Sequence, residues 1–133
     1  MSIYNYKNGL GHVGSYGVSG IPYLTSSLAV PASSGDPLEI SFDTVSKFII
    51  ITNTLPGSAT NVPLRFGFSV NGIQGTNYAV LNNNETFEAE LRVTSVFLIS
   101  DSTSACSASV VAGLTGIEAK ELPNNWSGSS GVG

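Results

Sequence analysis

Charge is scarce in this sequence: Asp, Glu, Lys and Arg make up 11% of its 133 residues, where about 25% is ordinary. The five cations, Lys7, Lys47, Arg65, Arg92 and Lys120, are scattered with no two adjacent, against nine acids. Nucleic-acid backbones are bound by clustered cations that release counterions, so no nucleic-acid partner is expected. His12 is the only histidine and Cys106 the only cysteine. That pair excludes zinc sites of the two-Cys-two-His kind, most schemes with a histidine base, and any internal disulfide. No apolar run approaches the ~20 residues of a membrane-spanning helix, so no membrane partner is expected either. Met1 to Leu10 has neither the basic start nor the apolar stretch of a secretory signal, which points to synthesis in a cytoplasm.

What the sequence has instead is apolar alternation, with 41% hydrophobic residues. Leu38, Ile40 and Phe42 alternate with Glu39, Ser41 and Asp43, the period-two mark of a half-buried strand. Phe48-Ile49-Ile50-Ile51 is apolar on both faces and predicts a central strand covered on both sides. Pro63 to Val70 puts Leu64, Phe66, Phe68 and Val70 on one face, and Asn71-Gly72 then reads as a hairpin turn. Asn77 to Leu81 is a short strand. Phe87, Ala89, Leu91 and Val93 point inward after it, opposite Thr86, Glu88, Glu90 and Arg92. Ser95 to Ser100 is a second two-faced strand, and Ala105 to Leu114 a last one, rich in small residues. The only helical prospect is a turn from Ile117 to Leu122, stopped by Pro123. Short strands joined by polar turns, with no βαβ alternation, predict an all-β fold: an antiparallel β-sandwich of jelly-roll or Ig-like type with about seven to eight strands. The expected organisation is a Gly/Ser/Tyr-rich N-terminal arm over residues 1–35, a β-sandwich core over 36–117 and a C-terminal tail over 118–133. The inward set, Leu38, Ile40, Phe42, Ile50, Leu64, Phe66, Phe68, Phe87, Leu91, Phe97 and Ile99, suffices for a core if each contributes about 1.5–3 kcal/mol on burial.

Catalytic sets are thin. Cys106 with His12 lacks the surroundings of a thiol enzyme, and Ala105-Cys106-Ser107-Ala108 reads as strand interior. Glu88 and Glu90 stand two apart on one strand face, a spacing that glycoside hydrolysis could use, but with Arg92 they read better as the charged outer stripe of a sheet. Gly9-Leu10-Gly11-His12-Val13-Gly14 has dinucleotide-loop glycine spacing without the strand and helix that such a loop needs. Asn82-Asn83-Asn84-Glu85 and Asp101 with Ser102, Thr103 and Ser104 could hold calcium, but are better read as turns whose side chains bond to backbone. Asn84-Glu85-Thr86 and Asn125-Trp126-Ser127 fit the glycosylation pattern, which carries little weight without a secretory signal. No enzyme, cofactor or metal is expected.

The ends carry aromatics. Tyr4, Tyr6, Tyr16 and Tyr23 lie in the first 35 residues and Trp126 in the last ten. Tyrosine and tryptophan offer large amphipathic contact area and are enriched in interface centres, so these five are candidate protein-interface residues. The phrases Gly14-Ser15-Tyr16-Gly17-Val18-Ser19-Gly20-Ile21-Pro22-Tyr23-Leu24-Thr25, Phe48-Ile49-Ile50-Ile51-Thr52-Asn53-Thr54, Arg65-Phe66-Gly67-Phe68-Ser69-Val70-Asn71-Gly72 and Ala112-Gly113-Leu114-Thr115-Gly116-Ile117 resemble small virion structural proteins of tailed marine bacteriophages that decorate or cement the capsid. The resemblance implies a decoration protein in the virion that binds the major capsid protein and copies of itself, as a homo-oligomer within a particle, and stabilises the shell. It carries over no site residues, since such proteins act through broad surfaces. The competing expectation is a carbohydrate- or receptor-binding β-sandwich module of a fibre or adhesin, with Tyr or Trp faces stacking on sugars.

Overall fold

A computed structural model describes residues 21–58 and 60–118, the side chain of Ser27 excepted. Eight strands and one short helix follow in the order β1 (Ile21–Val30), β2 (Leu38–Ser41), β3 (Thr44–Asn53), β4 (Leu64–Gly67), α1 (Val70–Gln74), β5 (Ala79–Leu81), β6 (Thr86–Ala89), β7 (Ser95–Ser100) and β8 (Cys106–Glu118). Two four-stranded sheets result, ordered β1-β8-β3-β6 and β2-β7-β4-β5. All strand pairs are antiparallel. Every connection crosses from one sheet to the other except β4 to β5, and this order is that of an eight-stranded jelly roll. The expected β-sandwich is thus present, in the jelly-roll rather than the Ig-like arrangement.

Alternation explains the layers. On β4, Leu64 and Phe66 are buried inward while Arg65 faces out; on β7, Val96 and Leu98 do the same opposite Phe97 and Ile99. The first sheet meets them with Ile49 and Ile51 of β3 and Ala108, Val110, Ala112 and Leu114 of β8. The Phe66 and Phe87 rings join the two sheets at 4.6 Å between centroids, and complete burial of a residue such as Ile49, Ile51 or Leu98 is worth about 1.5–3 kcal/mol.

Asn53 closes one end of the sandwich. It is fully buried, its side-chain amide donates to the carbonyls of Val62 (3.0 Å) and Leu81 (3.1 Å), and its Oδ1 accepts from the Leu55 amide (3.2 Å). One side chain so ties β3, β5 and the loop between β3 and β4. Asn83 does similar work outside, donating to Pro56 O and Thr60 O while accepting from the Val62 amide. Asn84 takes the left-handed backbone conformation (φ 64°) that asparagine tolerates in turns. The asparagine run is accordingly a turn that binds backbone, as its composition predicts.

Four expectations are corrected. The first sheet begins inside the stretch assigned to the arm: β1 pairs with β8 from Ile21↔Leu114 to Val30↔Cys106, with a bulge between Thr25 and Leu28. There the Thr25 hydroxyl donates to Val110 O and accepts from Val110 N, and the bulge hides the period-two pattern. Asn71-Gly72 is no hairpin turn but lies in α1, where the Ser69 hydroxyl caps the helix by accepting from the Gly72 amide (2.9 Å). Ile50 faces outward, and Ile49 and Ile51 hold the core; Phe97 and Ile99, also expected inward, lie on the outer face of β7 beneath α1, because a run apolar on both faces has no phase to read. Ile117 and Glu118 extend β8, where a helical turn is expected; residues 119–122 lie outside the described residues.

Candidate interaction surface

The helix α1 rests on the outer face of the second sheet, over Phe97 and Ile99, with Ile73 fully buried beneath it. Gly67 permits this approach: a Cβ at that position would stand 3.1 Å from Asn77 O and 3.3 Å from the Ile73 Cβ. Beside the helix, Arg65 lies across the strand register from Val80 and Ile99. Its Nε and Nη2 both donate to Asp101 Oδ1, the first at 3.1 Å, and its Nη1 donates to Ile73 O at 3.2 Å. The guanidinium also lies 4.0 Å from the centre of the Tyr78 ring. A carboxylate, a helix carbonyl and a ring therefore hold one cation in a fixed place.

Around it stand apolar side chains open to solvent: Tyr78 is 36% exposed, Val80 40% and Val70 43%. Arginine and tyrosine are among the residue types enriched in binding hot spots, and the valines add exposed apolar area beside them at the open β5 edge. Because the Arg65 rotamer is already fixed by its partners, a partner seated here forgoes little side-chain entropy.

The other candidates are placed as follows. Tyr4, Tyr6, Tyr16 and Trp126 lie outside the described residues, as do His12 and the Gly9–Gly14 stretch. Tyr23 is partly buried, its ring edge-on to Phe42 at 5.0 Å between centroids. Cys106 is buried, and burial pushes its thiol pKa up while a hydrogen bond with Ser100 pulls it down by less. Glu88 and Glu90 flank a shallow groove of about 450 Å³ on the first sheet whose floor is Phe48 and Ile50; Glu90 faces Lys47 Nζ at 3.5 Å. Asp101, named as a possible calcium ligand, is engaged by Arg65 instead. Among the described residues, no three His, Cys, Asp or Glu side chains gather where they could hold a metal ion.

No family model, curated protein or solved structure matches this chain. The Arg65–Tyr78 cluster was missed in the sequence because its members come from β4, from the approach to β5 and from the end of β7. One signal existed: Tyr78 is the only tyrosine beyond the first 35 residues, and Val80 breaks the polar phase of its short strand.

Proposed function

We propose that this protein is a virion structural protein, a capsid decoration or cement protein that stabilises a shell by binding the major capsid protein. Its phrases resemble those of small phage virion proteins, and jelly rolls recur in viral capsid and lectin domains. A fold does not fix a function, which is carried by the site. The observation that carries it is Arg65, held by Asp101, Ile73 O and the Tyr78 ring beside solvent-exposed Val80. The cluster is, in this reading, a prearranged protein-binding surface. In this reading the protein is not an enzyme, needs no cofactor and acts in many copies on the particle, made in the host cytoplasm. The low charge of the chain lets copies approach with little mutual repulsion.

The test is binding to purified shells that lack the protein. Val80→Glu places a charge in the patch without touching the core and should weaken shell binding at least tenfold, with the circular dichroism spectrum unchanged. Equal binding by the variant and the parent would refute the assignment. Binding to a glycan array that Tyr78→Ala abolishes would favour a carbohydrate-binding module in its place.

A further inference from the structure

The outer face of the first sheet carries an apolar row leading to an acidic rim. Strand register places Leu24, Val111, Ile50 and Glu88 in one line across β1, β8, β3 and β6. Leu24 is 72% exposed, and Phe48 and Ile50, in a run whose sequence predicts cover on both sides, face the groove between Glu88 and Glu90. Among the described residues Glu88 makes no ion pair. A ligand for this groove is apolar or aromatic and carries a cation. Two copies packed groove on groove would bring Glu88 and Glu90 against their like, which disfavours that occupant.

Charge in the chain is divided to match. Between Asp36 and Glu118 there are eight acidic and three basic residues, whereas the first 35 residues contain Lys7 and no acid at all. Lys47 and Arg65 already face Glu90 and Asp101. Tyr4, Tyr6 and Lys7 together supply two aromatic rings and a cation within four residues. Reach fits as well. From the start of β1 to β6 is three strand spacings, about 15 Å, and the thirteen residues 8–20 are enough to bridge it, since a stretch of that length can extend to about 45 Å. Attachment to the same chain raises the local concentration of the segment at the groove, which favours it over a second copy.

We propose that the groove formed by Phe48, Ile50, Glu88 and Glu90 binds residues 4–7 of the chain's own N-terminal segment, with Tyr4 and Tyr6 on the apolar floor and Lys7 against Glu88. This site is on the sheet opposite the Arg65 surface and stands independently of the proposed function.

Zero-length carbodiimide coupling of the full-length protein, made as an equal mixture of light and ¹⁵N-labelled chains, tests it. The expected product is a Lys7–Glu88 amide found only within light chains and within heavy chains. Mixed light–heavy products would assign the groove to a second copy and overturn the proposal; absence of the cross-link would do so too. Hydrogen exchange in the full-length chain gives an independent reading. Lys7→Glu should speed amide exchange over residues 86–90 about three- to fivefold, as the loss of an exposed ion pair allows, and Lys7→Glu with Glu88→Lys should restore it. No acceleration in the single variant, or no recovery in the double, overturns the pairing.

Discussion

Replacing Asn53 by aspartate changes one atom and removes both of the donors that close the sandwich. The substitution keeps an acceptor for the Leu55 amide but leaves the carbonyls of Val62 and Leu81 facing a group with nothing to donate. Each buried carbonyl left without its donor costs about 1–3 kcal/mol, so Asn53→Asp should lose about 3–5 kcal/mol at pH 7, a large share of the roughly 5–15 kcal/mol that holds a domain folded. The sign with pH follows from burial. An ionised carboxylate facing two carbonyl oxygens is disfavoured, so in the folded variant its pKa lies above the ~3.9 of an unfolded aspartate. Above the unfolded value the unfolded chain binds fewer protons than the folded one. Stability relative to the parent therefore falls as pH rises from there to the folded pKa. Urea unfolding of parent and variant at pH 4 and pH 7 measures this, with the larger deficit expected at pH 7. If the variant is already unfolded at pH 7, the pH 4 comparison still shows a folded protein of reduced stability. A deficit below about 1 kcal/mol at both pH values would refute the role given to the two carbonyl bonds.

Gly67→Ala should lift α1 from its sheet and cost about 1–3 kcal/mol, since a Cβ there meets backbone and the Ile73 side chain within 3.3 Å; an unchanged urea midpoint would show that the helix can shift freely. Ile49→Ala should cost about 2–5 kcal/mol, and Ile50→Ala clearly less, because Ile49 is fully buried and Ile50 is on the outer face. Equal losses would contradict the assigned phase of β3. The Cys106 thiol, buried and with a raised pKa, should react with a thiol reagent at pH 8 only after denaturant is added; rapid labelling of the native protein would mean that the strand pairing of β8 opens readily.

Fold class was readable wherever one face of a strand meets water. Leu38 to Ser41 and Leu64 to Phe66 alternate cleanly, and both lie in strands with their apolar side chains turned to the core. Legibility failed where local pattern and tertiary context disagree. The Ser26-Ser27 bulge interrupts alternation in β1, and the pairing with β8 that makes it a strand lies some eighty residues away in the chain. Asn71-Gly72 has turn chemistry, yet the Ser69 cap and the burial of Ile73 on Phe97 and Ile99 favour a helical turn. The Arg65 cluster was hidden for a similar reason: cross-strand register, absent from any local window, brings Val80 opposite Arg65.

The placement of β8 has a consequence for biosynthesis. It is the last of the described strands, yet it sits in the middle of its sheet and hydrogen-bonds to both β1 and β3. A nascent polypeptide emerging from the ribosome would hold those two partners apart, their inner edges bare, until Cys106–Glu118 arrives to zip between them. Long-range closure of this kind is slow, and incomplete chains stopped before Cys106 should be prone to clump or be degraded.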